Sequence, residues 1–436
     1  MSQHKHSPFR LRITHDDRMI FRIALPALGA LAADPLVSIV DTAFVGRLGA
    51  EPLAALGVVT GLFGFAFFVF NALAYASTPL IARAMGAGDR EQAGRVASQA
   101  LLLAMMLGVV GLVILEVAAP AMVRIMGASN DLESMAVGYL RIRGLALPAV
   151  LAITVGHGVF RGMADTKTPL YISLGFNLIN LVLDPLLIFG FGLGLRGAAI
   201  ASAVAQICGG VVFLWFISTG RTGLTISWSW PGWASMKVLL SAGSALTVRT
   251  LSLVTTFTLA TAVVTRLGVN EIAGHQIAAQ IWLFLALVVD SIAIAGQTLV
   301  AGHMGEGEGQ RARQLADRML VWGLSWGLAL AGVFWLLRNV LPGWFSPDPN
   351  VNAVAVAILP FVALTQPLNS IVFVLDGLLI GAEQFRFLAL AMMGATALTC
   401  GLLLMAASIT AVWWALTFLM VARVIPMAVR YASAVS

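Results

Sequence analysis

Five aspartates lie inside long apolar stretches of this sequence, where a carboxylate is costly and therefore informative. On insertion scales, an aspartate at the centre of a bilayer costs about 2.5–3.5 kcal/mol, so such residues face a protein interior and often belong to ion or proton pathways. A buried carboxylate can take up a proton at one membrane face and release it at the other. The five residues are Asp34, Asp41, Asp184, Asp290 and Asp376.

The spacing of these acids predicts that some of them converge. Asp34 and Asp41 are seven residues apart, which places them two turns apart on one helix face. Asn177, Asn180 and Asp184 follow at i, i+3 and i+7, again on one face. Two carboxylates close together in a low-dielectric medium cannot both stay ionised cheaply, so one of them is ready to carry a proton.

Other polar or helix-kinking residues inside apolar stretches are candidates for a substrate cavity or a hinge. A proline inside a helix frees a backbone carbonyl and allows the helix to bend. A lone histidine is more often a satisfied core residue than a ligand, and an arginine can pair with an acid or line a cavity. These candidates are Pro26, Asn177, Tyr139, His157, Arg249 and Asp376.

The elements that position these residues are predicted to be membrane-spanning helices. Of the 436 residues, 59% are hydrophobic and only 11% are charged, whereas soluble domains carry about 25% charged residues. Apolar stretches of about 18 or more residues recur along the whole chain, and we assign twelve spans. Both cysteines lie inside such stretches, so we expect neither a disulfide framework nor a cysteine metal site.

The basic residues predict the orientation of the chain. Of the 26 lysines and arginines, 18 lie on the side of the N-terminus, seven lie on the opposite side, and only Arg249 is clearly inside a span. The positive-inside rule therefore places both termini in the cytoplasm, with the chain multi-pass in the inner (plasma) membrane. Because the basic residues are dispersed between spans rather than gathered on one soluble face, no nucleic-acid partner is expected.

An internal repeat divides the chain in two. At an offset of 219 residues, RLGAEPLAA at 47–55 lies over RLGVNEIAG at 266–274, and LIARAMGAG at 80–88 lies over LVAGHMGEG at 299–307. The same offset superimposes Pro148 on Pro367, Gly158 on Gly377, and Gly162 on Gly381. Both copies begin on the same side after an even number of spans, so they are parallel repeats, as in many secondary transporters.

The repeat predicts the domain boundaries and provides an internal control for the acids. We expect an N-terminal lobe at 1–217 with a short cytoplasmic tail, a cytoplasmic linker at 218–237 and a C-terminal lobe at 238–436. The second copy lacks the acids of the first, which favours a functional role for them over an architectural one. Asp34 falls on Leu253, Asp41 on Ala260 and Asp184 on Leu403, whereas Asp376 falls on His157 and Asp290 on Asn71.

Several motifs together resemble those of the multidrug and toxic compound extrusion family, and within it the DinF-like branch. The most specific is Pro26 followed by VDTAFVGRLG at 40–49. The resemblance covers essentially the whole chain. The other motifs are RAMGAGD at 83–89, RGMADTKTP at 161–169, NLVLDP at 180–185 and GAAIAS at 197–202.

This resemblance implies an all-α integral membrane fold, with twelve transmembrane helices in two pseudo-symmetric six-helix bundles arranged as a V. It implies that Asp41 of the VDT motif forms a cation site with Asp184 and Asn180, which could also hold Na⁺. Ser202 stands where members often have threonine. It also implies that the helix marked by Pro26 bends.

Two details of the coupling site stay open at this point. Counting 1.5 Å per residue from the inner helix ends places Asp34 at about the depth of Asp184, roughly 21 Å, whereas the motif identifies Asp41. The other branch of the family often places a glutamate in the seventh helix, and this sequence has none there. Asp376 nevertheless resembles that branch's acid in the tenth helix.

The sequence therefore predicts a secondary active multidrug efflux transporter rather than an enzyme. It would exchange amphiphilic or cationic small molecules for H⁺ or Na⁺ by alternating access, as a monomer in contact with membrane lipid. No cofactor beyond the coupling ion is expected, because the Gly-rich GAGDREQAGR lacks the Lys and Ser/Thr of a phosphate-binding loop. Two alternatives are a lipid-linked precursor flippase, which would tend to carry more cavity arginines, and a receptor or scaffold without transport.

Overall fold

The computed structural model describes residues 14–128, 130–228, 230 and 232–434, which form helices and no strand. The helices of the first half are α1 (His15–Gly46), α2 (Ala50–Gly86), α3 (Arg90–Ile125), α4 (Asn130–Gly144), α5 (Leu147–Gly162), α6 (Lys167–Pro185), a π-helical turn (Leu186–Gly190) and α7 (Gly194–Ser218). Those of the second half are α8 (Trp233–Leu267), α9 (Val269–Gly305), α10 (Gly309–Leu337), α11 (Pro342–Phe345), α12 (Pro349–Leu364), α13 (Gln366–Gly381), α14 (Phe385–Leu404) and α15 (Ile409–Ala434).

The helices have the length and composition of membrane spans. Within the described residues, nine are long and apolar enough to cross a membrane, and two bent pairs raise the number to as many as 11. The bent pairs are α4 with α5 and α12 with α13. Since α2 is 37 residues long, it is also long enough to cross a bilayer. The prediction of an all-α, multi-pass membrane protein is confirmed.

The internal repeat reappears in the helix boundaries. Helices α2 and α9 begin and end 219 residues apart, and α3 and α10 begin at the same offset. The two bent pairs are related in the same way, and their bends measure 52° and 51°. Even the turns correspond, because Ala164 and Glu383 both take a positive φ, of 58° and 59°. The two halves are therefore copies of one six-helix arrangement.

The repeated glycines and prolines mark the closest helix crossings. A Cβ built on Gly158 would lie 2.8 Å from the carbonyl oxygen of Ala74, and one built on Gly377 would clash with the carbonyl oxygen of Ala293 at the equivalent crossing. Small residues allow two helix backbones to approach closely in a membrane protein, where van der Waals packing and hydrogen bonds hold helices together. A second crossing repeats as well, with Gly108 on Pro148 and Gly327 on Pro367.

We expect Gly158→Ala to destabilise the protein, because its new methyl group would also lie 2.6 Å from the Ser77 hydroxyl. Overpacking of this kind typically costs about 1–3 kcal/mol. The thermal denaturation midpoint in detergent measures the effect. Gly394→Ala is the matched control, because a Cβ there meets no atom within 4 Å. Equal midpoints for the two variants would contradict the crossing as the reason for the glycine.

Two compact units divide the described residues at points inside helices. Residues Gly29–Gly243 form one, which we call the N unit; the described residues up to Leu28 and from Ser244 onward form the other, the C unit. The division therefore crosses α1 two residues after Pro26, and it also crosses α8. The lobe boundary expected at 218–237 stays a prediction, and the described residues of that segment fall in the N unit.

The first part of α1 is held within the C unit by ionic contacts with α10. Asp17 is fully buried and accepts hydrogen bonds from Nε and Nη2 of Arg318, each at 2.8 Å. The indole nitrogen of Trp322 donates to the same carboxylate at 2.5 Å. A buried carboxylate with this many donors is well compensated. The contacts explain why the beginning of α1 groups with the second half of the chain.

Part of the predicted linker is packed rather than loose. The backbone N–H of Ser227 donates to the hydroxyl of Ser98 on α3 at 2.9 Å, and Leu224 is only 3% exposed. A Cβ on Gly94 would lie 2.5 Å from the carbonyl oxygen of Thr225, so the segment needs glycine on α3 in order to approach. This contact fixes the chain after α7 onto the N unit.

Candidate ion-coupling site

The N unit brings the predicted polar faces of α1 and α6 together. The side-chain amide of Asn177 donates to Asp34 Oδ1 at 2.9 Å. Asp41 and Asp184 each lie seven residues further along their helices, and their carboxyl groups are within hydrogen-bonding reach of one another. Two contacts at the same seven-residue spacing mean that α1 and α6 run side by side in the same direction here. The structure thus places both helix-1 acids against α6, each with its own partner.

Asp184 is the buried centre of this arrangement. Its side chain is fully buried, and among the described residues no protein group donates a hydrogen bond to either carboxylate oxygen. Oδ1 of Asp41 is also buried without a donor. Two carboxylates can hydrogen-bond to each other only when one of them carries a proton, and buried polar atoms are rarely left unsatisfied. The pair therefore requires a proton or a bound cation.

Helix α7 supplies the remaining predicted ligand. The side-chain amide of Asn180 donates to the hydroxyl of Ser202 at 3.3 Å, and both residues are buried. Gly197, five residues earlier on α7, allows α7 to approach the π-helical turn closely, since a Cβ there would lie 2.8 Å from the carbonyl carbon and oxygen of Leu187. The GAAIAS motif at 197–202 thus contains both Gly197, where the backbones approach closely, and Ser202, whose hydroxyl belongs to the site.

Proline determines the backbone next to the acid pair. Pro185 directly follows Asp184, and its lack of an N–H removes the helical hydrogen bond to the carbonyl of Leu181. The chain then continues as a π-helical turn from Leu186 to Gly190. Such turns are rare and are frequently found at functional sites. The NLVLDP motif therefore ends a regular helix at Pro185, one residue after the buried carboxylate.

Sequence analysis missed one cation near the acids. Arg143, at the end of α4, interacts electrostatically with Asp34, Asp41 and Asp184. Its guanidinium also contacts the hydroxyl of Tyr139, a predicted cavity residue that is 4% exposed. Arg143 is one of the seven basic residues that the charge count places between spans, on the side opposite the N-terminus. The signal that could have identified it is the four-residue spacing from Tyr139, which places both side chains on one helix face.

Two predicted cavity or hinge residues lie elsewhere. His157 Nε2 is 3.2 Å from the Ser173 hydroxyl, and its ring centroid is 5.1 Å from that of Phe213, contacts that favour a structural role. Pro26 lies in the part of α1 that belongs to the C unit. Helix α1 continues unbroken through both Pro26 and Pro35.

The C unit uses its own acid differently. Asp376 on α13 accepts a hydrogen bond from Arg249 Nε at 3.2 Å and forms ion pairs with both Arg249 and Arg423. Arg423 is 2% exposed and lies inside α15, which has the length and composition of a membrane span, so the inference that only Arg249 lies inside a span is wrong. An acid held by two guanidinium groups is already compensated. Asp376 therefore differs from Asp184, which has no cationic hydrogen-bond donor among the described residues.

Comparisons with known proteins agree with this architecture. The model of the MatE family matches residues 26–186 and 245–404, two segments whose starts are again 219 residues apart. Protein DETOXIFICATION 44, chloroplastic, from Arabidopsis thaliana is 34% identical over 93% of this chain and 80% of that protein. Multidrug resistance protein PmpM from Pseudomonas aeruginosa is 25% identical over 86% of this chain and 80% of that protein.

Solved structures show the same fold. The crystal structure of MATE in the bent conformation matches with a TM-score of 0.90 over 97% of this chain and 96% of that chain, at 21% sequence identity. A structure of a MOP superfamily transporter from Pyrococcus furiosus matches with a TM-score of 0.88, also at 21% identity, over 96% of each chain. At this identity, the likeness concerns the fold alone.

Proposed function

Because the chain belongs to the MatE (multidrug and toxic compound extrusion) family, whose members are transporters and not enzymes, we propose that it exports drug-like or organic-cation molecules by antiport with H⁺. Relatives named for multidrug resistance and detoxification support the substrate class. The relatives do not favour the flippase alternative. Membership of the DinF-like branch is part of the same proposal.

The observation that carries the coupling proposal is the fully buried Asp184 carboxylate beside Asp41. Neither of its oxygens receives a hydrogen bond from the described protein groups. Burying an ionised carboxylate without donors is expensive, so the pair is stable only when it holds a proton or a cation. Release of that ion leaves two adjacent negative charges, which attract a cationic substrate or force a rearrangement.

The charge balance of the site makes the proton and a cationic substrate compete. Three carboxylates and the Arg143 guanidinium leave two uncompensated negative charges when all three acids are ionised. Proton binding and cation binding would therefore compete for the same charge. A ligand shifts a conformational equilibrium only by its different affinity for the two states. One charge that crosses a potential of 100 mV supplies about 2.3 kcal/mol, which is sufficient for modest uphill export.

Sodium is the alternative coupling ion, with Asp41, Asn180 and Asp184 as its ligands. Sites for hard cations such as Na⁺ need several oxygen ligands at once. The Arg143 guanidinium adds a fixed positive charge near Asp41 and Asp184. We favour the proton, because it needs only one oxygen.

We propose a plasma-membrane location with both termini cytoplasmic, from the charge bias between the spans. The monomer is proposed as the transporting unit, because each chain carries both copies of the repeat. Neither Asp34 nor Asp41 is dispensable in this proposal. Asp41 shares the coupling ion with Asp184, whereas Asp34 is held by Asn177 on the neighbouring turns.

The proposal is tested by uptake of ethidium into proteoliposomes that carry a single imposed gradient. We expect an acid lumen to drive accumulation, a protonophore to abolish it, and a sodium gradient alone to have no effect. Accumulation that follows only the sodium gradient would show that the coupling ion is Na⁺ rather than H⁺. Absence of uptake under both gradients would remove organic cations as substrates.

A further inference from the structure

An apolar groove of about 400 Å³ lies between α6 and α7 in the N unit. Its walls include Tyr171, Gly175, Ile179, Cys208, Val212 and Phe216. The volume is within the range of small-molecule sites, and the walls are almost entirely apolar. Gly175 contributes to the space, since a Cβ on it would meet no atom within 4 Å.

The groove lies on the side of α6 that is turned away from the ion site. Residues 171, 175 and 179 repeat every four positions on one face, whereas Asn177, Asn180 and Asp184 occupy the opposite face. Around the groove, Leu178 is 59% exposed and Val211 is 58% exposed. In a membrane protein, such an exposed apolar surface is covered by lipid acyl chains. An acyl chain therefore has the chemistry and the access to occupy the groove.

One end of the groove carries two basic side chains and one carboxylate, that of Asp165, which accepts a hydrogen bond from the wall residue Thr168 at 2.6 Å. The Arg221 guanidinium carbon lies 5.8 Å from the ring centroid of Phe216, a wall residue, and 4.3 Å from that of Trp215. Lys167 begins α6 next to the wall residue Thr168. The side chains of Arg221 and Lys167 are exposed. A tryptophan and two basic groups at the end of an apolar groove match a phospholipid headgroup that carries a negative charge.

We propose that this groove is a binding site for an anionic phospholipid of the bilayer. One acyl chain lies between α6 and α7, and the phosphate group contacts Arg221 and Lys167. The inference is independent of the proposed transport cycle.

Native mass spectrometry of delipidated protein with added phosphatidylglycerol or phosphatidylcholine, matched in acyl chains, tests the site. We expect phosphatidylglycerol to be retained preferentially, by roughly fivefold for each basic residue. Gly175→Trp fills the groove and should abolish the retention of phosphatidylglycerol. Gly394→Trp is the matched control, because Gly394 is the repeat equivalent of Gly175 and its Cβ also meets no atom within 4 Å.

A second arm separates the headgroup from the acyl chain. The double variant Lys167→Gln with Arg221→Gln should keep lipid binding and lose the preference for phosphatidylglycerol. Equal retention of both lipids by the unmodified protein would overturn the anionic part of the proposal. Retention by Gly175→Trp at the level of Gly394→Trp would overturn the groove itself. Elution profiles and melting midpoints verify that each variant is folded, and neither measurement depends on transport.

Discussion

Asp184→Asn is expected to abolish gradient-driven export while the protein still folds and reaches the membrane. An asparagine side chain has nearly the same volume but cannot exchange a proton or supply the second negative charge of the pair. Folding should be preserved, because the fully buried Asp184 carboxylate accepts no hydrogen bond from the described residues that would be lost. We expect the initial rate of ethidium uptake under an acid lumen to fall at least about a hundredfold, the size typical of a lost proton-transfer group.

Asp131→Asn is the matched control for this variant. It makes the same chemical change at an exposed acid in the first turn of α4, in the same unit of the protein. We expect a rate close to that of the unmodified protein. Asp41→Asn should resemble Asp184→Asn, because the two carboxyl groups share one ion. Unchanged rates in both Asp184→Asn and Asp41→Asn would exclude this pair as the coupling site.

Asp376→Asn is expected to have the opposite phenotype, with a loss of stability rather than a selective loss of transport. Its carboxylate pairs with both Arg249 and the fully enclosed Arg423. Removal of one partner of a buried ion pair typically costs about 3–5 kcal/mol, because the remaining charge is left uncompensated. The thermal denaturation midpoint in detergent and the yield of monodisperse protein should both fall sharply.

A double variant tests the stated reason for this loss. If the unpaired guanidinium is responsible, Asp376→Asn combined with Arg423→Met should be more stable than Asp376→Asn alone. Residues that are in contact are expected to give such non-additive effects. If the double variant loses as much stability as the two single variants together, the ion pair is not what makes Asp376 necessary. A full rate of uptake by Asp376→Asn protein with a normal melting midpoint would contradict the prediction as a whole.

The equivalent halves of this protein thus place their acids in different chemical settings. Position 376 falls on His157 in the repeat, and His157 is hydrogen-bonded to Ser173. Position 184 falls on Leu403, which is fully buried in the apolar core of the C unit. Within the described part of the chain, one six-helix arrangement therefore accommodates an acid without a cationic hydrogen-bond donor in the N unit and a doubly paired acid in the C unit. On these grounds, we propose that ion exchange takes place in the N unit.

Most of the architecture could be predicted from sequence, because each membrane helix has a signal within its own segment of sequence. A bilayer requires about 20 apolar residues in a row and satisfies backbone groups within each helix, so hydropathy alone located the spans. The 219-residue offset predicted the repeat, which the boundaries of α2 and α9 reproduce. Helical periodicity predicted that Asp34 and Asp41 share one helix face and that Asn177 and Asp184 share another.

Only the tertiary structure shows which helix packs against each of these polar faces. Which helix lies beside α1 depends on packing between segments more than 140 positions apart, and no local pattern encodes it. The partners of Arg143 and Arg423 also depend on packing between distant segments, and the charge count of the sequence places both residues outside the spans. A long arginine side chain can reach several ångströms from its backbone, so its burial depends on the neighbouring helices rather than on its place in the chain. Hydropathy and periodicity are properties of one segment, whereas the pairing of charges is a property of the packed molecule.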